Sequence, residues 1–109
     1  MSRVFKILPE AEWAEAQARG HYAGSALDQA DGFIHLSDAA QAGETLRLHF
    51  AGQPDLVMVG FEAEDLGPEL KWEASRGGAL FPHLYAPLPA RLAVSIEPVF
   101  VPRPAGNGG

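Results

Sequence analysis

The chain has 109 residues, no cysteine, eight basic and 14 acidic residues and a formal net charge of −6. This length holds one hydrophobic core and excludes a second catalytic domain, and the lack of thiols excludes disulfides, thiolate nucleophiles and cysteine metal sites. An acidic balance with scattered lysines and arginines leaves no electropositive footprint, so neither nucleic acid nor an anionic membrane is expected as a partner.

Met1-Ser2-Arg3 runs directly into the strand-like Val4-Phe5-Lys6-Ile7 without a long apolar leader, and no run of about 18 apolar residues follows. A soluble, unprocessed, cytoplasmic protein is expected. Pro9 in a first turn, with Glu10 and Glu12 near the positive end of the dipole, starts a helix that ends by Gly20 and uses Trp13 as its core anchor. The Gly-, Ser-, Asp- and Ala-rich segment His21–Asp31 reads as a loop of functional length that carries Tyr22, Ser25 and Asp28.

Asp31-Gly32 is turn chemistry, Phe33-Ile34-His35-Leu36 is β-prone, and Ser37 or Asp38 caps the next helix. Asp38 and Gln41 have the spacing of a capping box. The helix is predicted from about Asp38 to Phe50, with Ala42, Thr45, Leu46, His49 and Phe50 along one stripe. Its uncovered N–H groups, with His35 and Ser37 beside them, could bind an anion.

Leu56–Phe61 is a continuous apolar run of strand length and reads as a central strand. An acidic connection, Glu62–Gly67, leads to a short strand at Leu70–Glu73 and a turn at Ser75–Gly78. Pro82 cannot donate to a ladder, so Phe81–Tyr85 is predicted as an edge strand or extended loop, whereas Leu92–Ile96 alternates like a half-buried strand. Residues 1–101 are expected to form one α+β domain with a mostly antiparallel sheet and two main helices, and residues 102–109 a flexible tail.

Two constellations carry chemistry. On a strand His35 points away from Ile34 and Leu36, and Ser37 two residues on shares its side, a pair suited to a sugar hydroxyl or phosphate. Ordinary capping by Ser37 with an exposed His35 is the plain alternative. Trp72-Glu73 and His83-x-Tyr85 flank a Gly-Gly turn that can fold them together, combining a carboxylate, an imidazole and aromatic faces suited to a ring-bearing ligand. A core Trp72 and a solvated Glu73 are the alternative there. The four histidines, His21, His35, His49 and His83, lack metal-ligand spacing, so no metal is expected. No Gly-x-Ser-x-Gly elbow or Gly-rich phosphate loop occurs.

Gly20-x-Tyr22-x-Gly24-Ser25-x-x-Asp28, Asp31-Gly32-Phe33-Ile34-His35-Leu36-Ser37, Gln41, Thr45, Lys71-Trp72-Glu73 and Phe81-Pro82-His83-Leu84-Tyr85 together resemble a bacterial family, domain of unknown function 952. That family in turn resembles the ADP-ribosyltransferase-like superfamily, which implies a split antiparallel sheet around a cleft for NAD, here as substrate. Gly32-Phe33-x-His35-x-Ser37 is similar to the superfamily's second motif, which implies a ring-contacting role for His35 and a pocket-shaping role for Ser37. The opening strand has only Arg3 and Lys6 where transferases place an arginine or histidine, and the resemblance would put Glu73 or His83 at the acid's position.

The resemblance and the residues together point to an enzyme or degenerate enzyme that takes a small-molecule ligand containing ADP-ribose. His35, Glu73 and His83 are its catalytic candidates, and Tyr22, Ser25, Ser37, Trp72 and Tyr85 its substrate-binding candidates. A non-catalytic metabolite- or peptide-binding module and a metal-dependent hydrolase using His35, His83 and Glu73 are the other two readings.

Overall fold

A computed structural model describes residues 2–104. The expected tail at 102–109 therefore lies outside the described residues from residue 105 onward. Nine strands and three α-helices alternate in the order β1 (Arg3–Pro9), α1 (Glu10–Arg19), β2 (His21–Tyr22), α2 (Ala26–Asp31), β3 (Ile34–His35), β4 (Ser37–Asp38), α3 (Ala39–Phe50), β5 (Leu56–Glu62), β6 (Leu70–Ala74), β7 (Leu80–Leu84), β8 (Leu88–Pro89) and β9 (Ala93–Val99) among the described residues. The fold is α+β, and every strand pairing is antiparallel. No helix among the described residues is long and apolar enough to cross a membrane.

The strands form a four-stranded sheet in the order β4-β1-β5-β9, a three-stranded sheet β3-β7-β6 and a two-stranded ribbon β2-β8. Between β3 and β4 the chain passes from one sheet to the other at Leu36, whose N–H donates to the carbonyl of Pro82 at 3.0 Å. The apolar run Leu56–Phe61 is central as expected, because both of its faces are covered. Val57, Val59 and Phe61 join Val4, Leu8, Trp13, Ile34, Leu36 and Leu84 in the main core, while Leu56 packs with Ile7 and Leu46 of α3 on the other side. Trp13 meets Phe61 edge-to-face at 6.3 Å.

α1 and α3 lie where the periodicity puts them. Pro9 is the N-cap of α1, with extended ψ, rather than a first-turn residue. Asp38 caps α3 and forms the reciprocal capping box with Gln41.

Four expectations are corrected. Segment His21–Asp31 is a short strand and a helix rather than a loop, because Ser25 and Asp28 form their own capping box at the start of α2. Gly24 makes that turn possible: its φ is +109°, and a Cβ there would lie 2.9 Å from Asp28 Cβ.

Pro82 lies in the middle strand of its sheet, not at an edge. The N–H and C=O of one strand residue point the same way, so the missing N–H faces the side where Pro82 accepts from Leu36. There β3 has already ended at His35, and the β6–β7 ladder on the other side is intact.

β9 also buries less than expected: Val94 and Ile96 are exposed, with Val94 at a β-bulge of an edge strand. Finally, His49 is exposed rather than on the packed stripe of α3.

Candidate functional site

Register assembles the site. His35 of β3 is the direct partner of His83 in β7, and His83 is also the partner of Lys71 in β6. Because side chains alternate along a strand, His35, His83, Tyr85, Phe81, Glu73 and Lys71 share one face of the three-stranded sheet. Phe33, one turn after α2, stacks on the His83 ring at 4.1 Å and lies 4.6 Å from His35 and 5.2 Å from Tyr85, centroid to centroid.

Two histidine–carboxylate pairs stand on this face. In the first, Asp28 Oδ1 accepts from the backbone N–H of His35 at 3.1 Å and lies 2.6 Å from its Nδ1. Asp28 Oδ2 accepts from Lys6 Nζ at 2.8 Å and from the backbone N–H of Ser25 at 2.9 Å. Lys6 also donates to the carbonyl of His35 at 3.0 Å and lies over the Tyr22 ring. Desolvation of the buried Asp28 carboxyl would push its pKa up. The Lys6 charge and the hydrogen bonds from Lys6, His35 and Ser25 outweigh that and hold it below the usual carboxylate range. Asp31 Oδ2 is 3.0 Å from Nε2 on the far side of the ring.

In the second pair, Glu73 Oε1 lies 2.8 Å from His83 Nδ1 and accepts from the Tyr85 hydroxyl at 2.8 Å. These hydrogen bonds, first that of His83 and then that of Tyr85, lower the Glu73 carboxyl. The same contact with Glu73 raises the Tyr85 hydroxyl.

The remaining sequence candidates separate. Ser37 is buried in the other sheet, 2.9 Å from Thr45 Oγ1, with its neighbours Asp38 and Gln41 capping α3, so the anion site expected there is not formed. Gln41 also donates to the Leu80 carbonyl at 2.8 Å and ties α3 to β7. Trp72 pairs with Pro82 and therefore points from the opposite face to Glu73. Tyr22 and Ser25 line a neighbouring cleft of about 390 Å³ with Glu12, Arg19 and Gln29. Burial is the largest influence raising the Tyr22 hydroxyl, followed by the charges of Asp28 and Glu12. Ser25 spends its hydroxyl on the N–H of Asp28. Phe33, Asp28, Gln29 and Tyr85 line a second cleft of about 250 Å³, and Ala23 and Gln29 border both.

Lys6, Asp28 and Phe33 were not among the sequence candidates. The signal for Lys6 was a charge inside Val4–Leu8, an otherwise apolar strand. Among the described residues no group of three His, Asp or Glu side chains is arranged to hold a metal ion.

The fold and site thus define an α+β protein with two histidine–carboxylate pairs on one sheet face. Residues 7–96 match the family model described as protein of unknown function (DUF952), and the chain belongs to that family. It is similar to the crystal structure of protein CC0527 from Caulobacter crescentus, with 54% identity, TM-score 0.85 and coverage of 88% of this chain and 84% of that one. The solution NMR structure of CC0527 gives 53% identity, TM-score 0.81 and coverage of 90% and 84%. No curated protein matches the chain.

Proposed function

We propose that the face shared by β3, β6 and β7 binds NAD or another ADP-ribose-containing small molecule, in the manner of a small ADP-ribosyltransferase-like protein. The observation that carries this reading is the convergence of the His35 ring, the Glu73 carboxylate and the aromatic rings of Phe33 and Tyr85 on one face. The passage of the chain between two antiparallel sheets at Leu36 supports it, as does the resemblance of Gly32-Phe33-x-His35-x-Ser37 to the superfamily's second motif.

In this reading Phe33 and Tyr85 stack on a flat ring. Glu73 Oε1 is occupied by His83 and Tyr85, so Oε2 faces the ligand, holding a ribose hydroxyl or stabilising an oxocarbenium-like carbon. Nε2 of His35 accepts from a ribose hydroxyl or, in the protonated ring, donates to a phosphate. Turnover would break the C1′–N bond; nicotinamide would leave with the bonding pair and water or an acceptor would add at C1′. Tyr22 and Ser25, in the adjoining cleft, would meet the far end of the ligand, and Ser37 and Trp72 would take no part.

A thermal-shift titration of metal-stripped protein with NAD and ADP-ribose tests the reading, followed by an assay of nicotinamide release. A ligand at about 100 times its Kd adds about 2.7 kcal/mol to stability. The expected result is a shift in the wild type that His35→Ala removes; no shift with either compound overturns the assignment.

A further inference from the structure

The buried pair behind His35 is the least explained feature of the main core. Lys6 is 7% and Asp28 2% exposed, on the same side as Val4, Leu8, Val57 and Val59. Replacing a buried ion pair by apolar residues of similar volume is often neutral or stabilising, so packing alone gives no reason for charges here. What an apolar pair could not do is receive the protons that reach this spot. Asp28 accepts from three elements at once: Lys6 of β1, the N-cap Ser25 of α2, and both the backbone and the ring of His35 in β3.

We propose that Asp28, anchored by Lys6, is the positioning residue of the site: it holds the His35 ring as the Nδ1–H tautomer and leaves Nε2 on the other side of the ring, where Asp31 stands. This rests on the functional reading above for its purpose, but not for its geometry. An ionised carboxylate has no proton to give, so the 2.6 Å contact requires the proton to sit on Nδ1. Nε2 is then the nitrogen with a lone pair for a ligand whenever the ring is neutral. Three features keep the ring from turning over. Its own backbone N–H is held by the same Oδ1, its carbonyl is held by Lys6, and Phe33 lies against it at 4.6 Å. Asp31 is the other charged group that faces the ring: its carboxylate at 3.0 Å from Nε2 accepts there only from a ring protonated on both nitrogens, so in the neutral Nδ1–H form, and for a ligand to bind, it moves aside. Lys6 and Asp28 are positioning residues, since neither reaches the ligand face.

The test is ¹⁵N NMR of the histidine side chains on the full-length wild-type protein as pH is raised, with no ligand present. The neutral His35 ring should carry its proton on Nδ1. His83, held by Glu73, provides an internal reference in the same spectrum. In the double variant Lys6→Met/Asp28→Leu, which removes both charges and the acceptor at Nδ1, His35 should shift toward the Nε2–H tautomer that free histidine favours, while His83 is unchanged. A purely structural role of Asp28 would leave the tautomer of a folded double variant as it was. Nε2–H as the main neutral form of His35 in the wild type overturns the proposal, and so does an unchanged tautomer in the folded double variant. Because no ligand enters the experiment, its outcome is independent of whether NAD binds. If NAD fails to bind while the Nδ1–H tautomer is found, the functional reading falls and the positioning role stands.

Discussion

The two histidine–carboxylate pairs are built in opposite directions. In the Asp28–His35 pair the carboxylate is 2% exposed and the imidazole 32%; in the Glu73–His83 pair the carboxylate is 39% exposed and the imidazole 8%. The same chemical couple therefore exposes an imidazole at one strand and a carboxylate at another. Buried charge explains the asymmetry. A carboxylate without water needs a cation and several donors, which Lys6, Ser25 and His35 supply, whereas a buried imidazole is accommodated by one acceptor and an aromatic neighbour, which Glu73 and Phe33 supply. His35 and Glu73 are thus the more exposed members of the two pairs, and Asp28 and His83 the buried ones.

The sharpest way to break this contrast is to unbalance the buried pair. Asp28→Ala or Lys6→Met alone leaves an uncompensated buried charge and is expected to cost about 3–5 kcal/mol. Lys6→Met/Asp28→Asn should recover most of that loss in a urea-denaturation series. Next come the imidazoles. His83→Ala removes a buried ring that stacks on Phe33 and should cost about 2–4 kcal/mol, against about 1–2 kcal/mol for the more exposed His35→Ala. Only the second is expected to abolish the ligand-induced thermal shift directly.

Acid separates the pairs further. A carboxyl whose folded pKa lies below its unfolded value contributes stability above the unfolded value and loses it as pH falls through the folded one. For Asp28 the window opens below the ordinary value of 3.8 and closes under its lowered folded value. Urea midpoints measured between neutral pH and pH 3 should therefore drop more steeply at the acid end in the wild type than in Lys6→Met/Asp28→Asn. The smallest stability effect is expected for Glu73→Gln, because the carboxylate is exposed. Its melting temperature should stay close to that of the wild type while ligand affinity falls, the reverse of the pattern for Asp28.

Much of this architecture was legible in the residues. The apolar run at Leu56–Phe61, the capping pair Asp38 and Gln41, and the shared face of His83 and Tyr85 follow from local rules of periodicity, capping and alternation. What escaped depends on partners distant in sequence. The exposure of Val94 and Ile96 follows from the edge position and the bulge of β9, and the central place of Pro82 from the early end of β3. Ser37 looked like a companion of His35 because alternation assumes one continuous strand, and the chain changes sheets at Leu36 between them. Trp72 was grouped with Glu73 by adjacency, although adjacent strand residues face opposite ways. His35, Glu73 and Tyr85 could be named as candidates because their chemistry is visible residue by residue. Asp28 and Lys6 escaped because a support is recognised only by what it touches.

The most direct measurement is an NMR titration of ¹⁵N-labelled protein with NAD, followed at the backbone amides. The account predicts shifts concentrated at Phe33, His35, Glu73 and Tyr85, with the exposed β9 residues Val94 and Ile96 unmoved. No shifts at saturating NAD, or shifts confined to surfaces away from β3, β6 and β7, would contradict it.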